Sequence, residues 1–347
     1  MAAAPPAGAP LAVTMGEPAG IGGEITLKAW HRQRAAGAHP FFVIDDPQRL
    51  ADLAAQLRLD VTICEIAGPE AAVEAFAGGL PVLPIGSRVN SQPGQLDPAH
   101  GEAVLEAIRR AVSLAQQGAA AAVVTNPIHK RVLMEAGFKY PGHTEYLAEL
   151  CRAARAPVMM LACPQLRVVP VTVHLPLSRV PATLTTALIV DTATTTAAAL
   201  RRQFGIARPR LAVAGLNPHA GEGGQLGGED DAVIRPAVQQ LRASGIDAFG
   251  PLPADTMFHA AARQGYDVAL CMYHDQALIP IKTIDFDGGV NVTLGLPIIR
   301  TSPDHGTALD IAGDFAGGGK ASPTSLLAAL DMAAQMSAAS RRQAAAW

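Results

Sequence analysis

Short runs rich in Val, Ile and Leu alternate along this chain with longer amphipathic runs of Ala, Leu and Arg. No other feature limits the fold as much. A strand followed by a helix before the next strand builds βα units, and such units assemble into mostly parallel sheets covered by helices. LAVTM (11–15) and FFVID (41–45) read as strands. The turn GEPAGIGGE opens a helix ending near Trp30, and PQRLADLAAQL follows the second strand with Pro at its start. Residues 97–117 form the clearest helix, with Leu105, Ile108, Val112 and Ala115 down one face. AAAVV reads as a strand ending at Thr125, Asn126 and Pro127, and Thr144 reads as the N-cap of EYLAELCRAA. Further helices are expected over 229–244 and 323–336. At 347 residues the chain exceeds the size at which single cores stop growing, so two lobes are expected. The fold class is therefore α/β, with two α/β/α lobes and mostly parallel sheets.

Three strand-like runs lead into a histidine: VVPVTVH to His174, LAVAGLNPH to His219 and DVALCMYH to His274. Ligands of α/β proteins collect beyond the carboxyl ends of strands. Three imidazoles at one edge would make an open metal site with positions left for substrate. The histidines lie 45 and 55 residues apart, so their placement on strand ends, not a local motif, carries this reading.

Composition excludes several classes. The chain is 49% hydrophobic and 16% charged, which is globular rather than disordered. A net charge of −3, scattered Lys and Arg and only 4% aromatics give no nucleic-acid surface. The N-terminal MAAAPPAGAP lacks the basic region and apolar stretch of a signal peptide, and reads as a flexible tail over residues 1–10. No run approaches a membrane span. Cys64, Cys151, Cys163 and Cys271 show no CxxC pairing and read as thiols in a reducing compartment. A cytoplasmic location is expected.

Four segments carry candidate chemistry. TMGEPAGIGGE (14–24) is either an anion cradle at a helix N-terminus or a tight βα turn, and lacks the dinucleotide spacing GxGxxG. GLNPHAGEGGQLGGED (215–230) is a ligand-wrapping loop or a mobile one, with Asn217 and His219 at the strand end. In YHDQALIPIK (273–282), Asp275 follows a candidate ligand as an orienting carboxylate, and Lys282 supplies a positive charge or a proton-transfer group. In GVNVTLGLPIIRTSPDHGTALDIAG (289–313), Asn291 and Arg300 flank an apolar strand, and the guanidinium suits a phosphate or carboxylate. The DHGTALDIAG portion reads as a loop entering a helix. PGHTEYLAE adds His143 and Thr144, with a plain capping box as the other reading. His31, His39 and His100 read as surface residues, His259 as helical, and His129 stays open.

Taken together, GEPAGIG, TNPIHK, GHTEYLAE, VHLPLSRV, GLNPHAGEGG, GPLPADT, YHDQALIPIK and NVTLGLPIIRTSPDHGTALDIAG resemble the NAD-dependent 4-hydroxythreonine-4-phosphate dehydrogenases of vitamin B6 biosynthesis. The stretches span residues 16–313. The resemblance implies that His174, His219 and His274 ligate a divalent metal, contributed from both subunits of a homodimer. It implies substrate contacts from His143, Thr144, Lys282, Asn291 and Arg300, with Lys282, Asp275 and Asp255 as catalytic or site-maintaining groups. The family is similar in fold to isopropylmalate and isocitrate dehydrogenases, with the active site in the cleft between lobes. That likeness places the NAD adenosine at His305, Gly306 and Asp310. It implies a cofactor-side lobe of 11–125 plus 290–347 and a central lobe of 126–289 carrying metal and dimer contacts. Met15 and Gly23 stand where the family commonly has Pro, and 314–320 (DFAGGGK) reads as a flexible insertion.

The implied reaction oxidises the C3 hydroxyl of 4-phosphooxy-L-threonine to 2-amino-3-oxo-4-phosphooxybutyrate, which decarboxylates to 3-amino-2-oxopropyl phosphate. Three imidazoles suit Zn2+ or Co2+, and an oxygen-rich substrate complex admits Mg2+. No basic cluster for a 2′-phosphate is visible, which favours NAD over NADP. Two rivals stand beside this. One is a paralogue acting on a four-carbon aldonate phosphate or an aromatic dihydrodiol carboxylate. The other is a non-catalytic metal- or phosphate-binding protein.

Overall fold

The first apolar run folds as strand β1 (Leu11–Thr14), with all four residues buried. A computed structural model describes residues 7–34 and 39–345. From β1 the chain continues through α1 (Gly22–Gln33), β2 (Phe41–Asp45), α2 (Pro47–Leu57), β3 (Ile63–Glu65), α3 (Ala72–Ala75) and β4 (Leu80–Pro84). Next come α4 (Gly101–Gln116), β5 (Val123–Thr125), α5 (Lys130–Glu135) and α6 (His143–Leu150). The middle of the chain forms β6 (Val158–Cys163), β7 (Leu166–Pro170), α7 (Val180–Thr183), α8 (Thr186–Phe204), β8 (Arg210–Ala214) and α9 (Arg235–Ala243). It ends with β9 (Asp247–Leu252), α10 (Ala260–Arg263), β10 (Val268–Cys271), α11 (His274–Ile284) and β11 (Val290–Leu294). The chain closes with β12 (Arg300–Pro303) and α12 (Thr324–Ala345).

By packing, Met1–Pro157 and Leu296–Trp347 form one unit and Val158–Gly295 a second. The division drawn at residue 125 from the sequence thus falls at Pro157, because Leu133, Tyr146 and Leu147 of α5 and α6 are buried in the same apolar cluster as Ile108 and Val112 of α4. In the first unit the strand order is β3-β4-β2-β1-β5-β12, all parallel. In the second it is β11-β6-β7-β10-β8-β9, antiparallel across β11-β6-β7 and parallel from β7 onward. Its core includes Leu161, Val168, Ala212, Ala269 and Ile281.

Helix starts follow ordinary capping chemistry. The Asp46 carboxylate accepts from Gln48 N at 3.0 Å ahead of Pro47, as a capping residue with Pro at the first helical position should. Thr185 accepts from Leu188 N at 3.1 Å and Gly205 ends the 19-residue α8 with φ 70°. Sequence periodicity passes over that helix because threonines interrupt its apolar stripe.

Several expectations change. Residues 97–117 begin with a 3-10 turn, Pro98–His100, before α4. Residues 230–234 form a π-helical turn rather than the start of a regular helix. The helix expected to stop at Met336 continues to Ala345, since its Ala- and Ser-rich end keeps burying residues such as Ala339. His100 is buried rather than on the surface, with burial lowering its pKa. His259 precedes α10, where its ring accepts from Ala262 N. No α-helix opens directly after DHGTALDIAG: residues 304–315 run as turns and loop into a single 3-10 turn, Ala316–Gly318. Residues 314–320 are tied down: Lys28 Nζ donates to Gly319 O and Ala321 O, each at 2.9 Å, and pairs with Glu24 at 2.6 Å. The tail reading for 1–10 falls outside the described residues for 1–6, while Ala9 and Pro10 are buried. All four cysteines are free, and three of them, Cys151, Cys163 and Cys271, are buried. Among the described residues no helix is long and apolar enough to cross a membrane.

Candidate active site

Strands β7, β10 and β8 lie side by side and parallel, so their carboxyl ends meet one edge of the second unit's sheet. The strands stop three to five residues before the histidines, at Pro170, Cys271 and Ala214, rather than running into them. Past β7, Val171 N still donates to Cys271 O at 2.8 Å, whereas amides past β10 and β8 turn to side chains. Met272 N donates to the Gln276 side chain at 2.6 Å, and Leu216 N donates to the Asp230 carboxylate at 2.9 Å. The histidines consequently sit on loops or helix starts at this edge, where α/β proteins bind ligands.

His274 is the first residue of α11, and its Nδ1 bonds to Asp275 Oδ1 at 2.8 Å. The other ring nitrogen is thereby left for a ligand, the arrangement that orients metal-binding imidazoles. The His174 ring lies 5.7 Å from the His274 ring, centroid to centroid. His219 begins a run of five left-handed residues, with φ 54°, 53°, 80°, 45° and 65° from His219 to Gly223. Three of the five are not glycine, and each costs about 1–3 kcal/mol unless its surroundings impose it. Among the described residues no three His, Cys, Asp or Glu side chains stand close enough to hold an ion as one set. The donor chemistry fits a borderline-soft divalent ion: three imidazole loops share an edge, one with its orienting carboxylate in place.

Asp255 is exposed in the turn after β9, beside β8 on that edge. Lys282 lies near the end of α11 with Nζ 5.4 Å over the Phe286 ring. Asn291 sits lower. It pairs with Leu161 of β6, which pairs with Val168 of β7, two residues short of that strand's end.

The first unit holds the other predicted residues. Arg300, 4% exposed, donates to Thr125 Oγ1 through Nε at 3.1 Å and Nη2 at 2.6 Å. Burial lowers its pKa to about 10. His143 opens α6, where burial first and the Arg300 charge second push its pKa well below the ordinary value. It is therefore neutral near pH 7 beside the charged guanidinium. Gly142 caps α6, so Thr144 lies in its first turn rather than at the cap. His305 Nδ1 donates to Gly306 O at 3.0 Å, and Asp310 is exposed on the same loop.

Buried polar atoms normally find partners. Among the described residues nine buried side-chain atoms lack a hydrogen-bond partner, and five of them are Glu17 Oε2, Asn126 Oδ1, His129 Nδ1, His143 Nε2 and His305 Nε2. All five lie in the GEPAGIG, TNPIHK, GHTEYLAE and DHGTALDIAG stretches. Glu17 and Asn126 were not singled out from sequence, although both stand inside stretches that were.

The glycine turn 16–22 packs as a tight βα connection. Gly16 has φ 69°, and a Cβ there would stand 2.7 Å from Pro127 O. Glu17 N donates to Pro127 O at 2.8 Å, Gly20 N to Glu17 O at 3.0 Å and Ile21 N to Thr307 O at 3.1 Å. A Cβ on Gly20 would stand 2.8 Å from Thr307 O, so the close approach of the two loops requires glycine. With those amides engaged, the anion-cradle reading loses most of its donors. A cleft of about 290 Å³ opens beside the turn, lined by Pro18, Gly20, Arg49, Arg88, Gln92 and Gly313 among others. Arg49 is neutralised by Asp45 at 2.5 Å.

The sequence profile of the family described as pyridoxal phosphate biosynthetic protein PdxA matches residues 37–333. The chain belongs to the PdxA family. It is 54% identical over 341 residues to the 4-hydroxythreonine-4-phosphate dehydrogenase of Bradyrhizobium diazoefficiens, covering 95% of this chain and 97% of that relative. The solved 4-hydroxythreonine-4-phosphate dehydrogenase of Klebsiella pneumoniae superposes with a TM-score of 0.84 at 38% identity, covering 94% of this chain and 99% of that one. The terephthalate 1,2-cis-dihydrodiol dehydrogenase of Burkholderia xenovorans is more distant, with a TM-score of 0.63 and 27% identity over 94% and 97% of the two chains. Membership in the PdxA family makes this chain an oxidoreductase of pyridoxal phosphate biosynthesis. The dihydrodiol alternative is not favoured by this ranking.

Proposed function

We propose that the protein oxidises the C3 hydroxyl of 4-phosphooxy-L-threonine with NAD, giving 2-amino-3-oxo-4-phosphooxybutyrate, which loses CO2 to form 3-amino-2-oxopropyl phosphate. The delivery of three histidine loops to one edge of the second unit's sheet carries this reading. His174, His219 and His274 would hold a divalent cation, Zn2+ or Co2+ by donor type. Such an ion lowers the pKa of a bound hydroxyl and polarises the carbonyl formed from it. NAD supplies the hydride acceptor.

The residues of this chain do the rest. Arg300, charged and fixed by Thr125, binds the phosphate or carboxylate, while neutral His143 offers Nε2 for a substrate hydrogen bond. Thr144 and Asn291 complete substrate contacts. Lys282 takes the proton released from the C3 oxygen and returns one to the carbon that loses CO2. Asp275 fixes the His274 ring, and Asp255 keeps a negative charge at the same edge. His305, Gly306 and Asp310 border the adenosine of NAD, and the neighbouring cleft offers it room. Arg88 is the exposed cation of that cleft and is paired with Asp46 at 3.3 Å, which leaves no cation cluster for the 2′-phosphate of NADP.

The enzyme is a homodimer in this reading. Leu175, Leu177, Leu226 and Ile279 are exposed large apolar residues of the second unit near its histidine loops or on α11, and Phe286 is another just past the end of that helix. A shared site would explain why three ligands do not gather within one chain.

The test is NADH formation with 4-phosphooxy-L-threonine by metal-loaded enzyme, repeated after chelation. Turnover abolished by the chelator and restored by Zn2+ or Co2+ is expected. Turnover indifferent to chelation would remove the metal from the mechanism. Activity on an aldonate phosphate instead would reassign the substrate.

A further inference from the structure

The three histidine loops are joined by side chains that the reaction does not use. Gln276 is 8% exposed, and both ends of its amide are occupied. Its Oε1 accepts from Met272 N at 2.6 Å, where the chain leaves β10, and its Nε2 donates to Gly215 O at 2.8 Å, where the chain leaves β8. Met272 O accepts from Thr172 Oγ1 at 2.7 Å, which brings in the exit from β7. Beyond Gly215, the fully buried Asp230 carboxylate accepts from Leu216 N at 2.9 Å, Asn217 N at 3.1 Å and Asn217 Nδ2 at 2.9 Å. A Cβ on Gly215 would meet Asp230 Oδ1 at 2.7 Å, so the carboxylate sits directly against the loop.

The chain of bonds thus runs from Thr172, two residues before His174, through Met272 and Gln276 to Gly215 and Asp230. It ends two residues before His219, at the start of the left-handed run. A buried carboxylate facing only amides is costly to form and rigid once formed. Here it fixes the two residues that lead into the left-handed run. The glutamine does the work of a strand: it keeps two ladders in register after the backbone has turned out of the sheet.

We propose that Gln276 and Asp230 are positioning residues, which hold the His174, His219 and His274 loops in one register and thereby set the affinity for a divalent cation. The proposal rests on the reading of those histidines as ligands. Partners of this kind, one step behind the ligands, alter metal affinity or activity by about 10- to 100-fold when removed.

The test uses Gln276→Met, Gln276→Glu and Asp230→Asn in the full-length protein. Gln276→Glu still accepts from Met272 N but sets a carboxylate oxygen against Gly215 O, so it cuts the link to the His219 loop alone. Cobalt binding is titrated by calorimetry, and the visible spectrum of the cobalt form reports ligand geometry. Metal-free thermal unfolding is followed in parallel. We expect Co2+ to bind about 10- to 100-fold more weakly, with a changed cobalt spectrum, while metal-free unfolding stays cooperative. Should Gln276→Met fail to fold, the other two variants carry the same readouts. Wild-type cobalt affinity and spectrum in Gln276→Glu and Asp230→Asn, with only stability lowered, would make both residues merely structural and overturn the proposal. Failure of the wild-type protein to bind Co2+ would instead overturn the ligand reading, and the proposal with it.

Discussion

His143 and Arg300 show how burial shifts the titration of two neighbours. Burial and the adjacent guanidinium both disfavour protonated His143, so its folded pKa lies below the ordinary 6.5. Between those two values the unfolded chain binds more protons, and stability rises with pH. Acidification from about pH 7.5 to about pH 5.5 should therefore lower the free energy of unfolding. His143→Gln should flatten that dependence, leaving a residual slope from His100, whose pKa burial also lowers. Denaturant titrations at the two pH values measure it, and an unchanged slope in the variant would refute it. Arg300→Lys keeps the charge but cannot make both bonds to Thr125 Oγ1. It should lower kcat/KM by roughly 10- to 100-fold, the worth of one or two charged hydrogen bonds, chiefly through KM for the phosphorylated substrate. Steady-state kinetics decide it. An effect on kcat alone would make Arg300 a transition-state group instead.

At the scale of elements, the glycine turn and the loop at 307 depend on each other. Gly20→Ala places a methyl 2.8 Å from Thr307 O, where backbone must give way. A loss of roughly 1–3 kcal/mol in stability is expected from such overpacking. A raised KM for NAD should accompany it, because the displaced loop carries His305, Gly306 and Asp310. Thermal unfolding and cofactor kinetics check the two effects, and an unchanged KM would detach the loop from cofactor binding. The alternation of apolar and amphipathic runs was enough to read β1, β2, α2 and α4. The ends of β8 and β10 were not legible, because side-chain acceptors outside the strands take the amides that follow them. Gln276 and Asp230 capture amides that the local pattern leaves to a strand. Residues 314–320 read as loose for the same reason, since nothing near them in sequence names Lys28 as the anchor.

For the whole molecule, the exposed apolar side chains of the second unit make the sharpest prediction. A symmetric interface buries two copies of Leu177, one from each subunit, at roughly 1.5–3 kcal/mol per side chain. Leu177→Asp should weaken self-association by roughly 100-fold or more. Sedimentation at micromolar concentration would show monomer where the parent is a dimer. A parent that sediments as a monomer would refute the dimer outright.

The sequence by itself determined the α/β class, the alternation of strand and helix and the family resemblance. Those follow from short-range periodicity and from motifs whose residues are near one another. Only the tertiary structure decided that β7, β10 and β8 are neighbours, that His143 is held neutral beside Arg300, and that Asp230 and Gln276 bind the histidine loops together. Each of these depends on contacts between residues far apart in the chain, whose burial and hydrogen bonding no local pattern encodes.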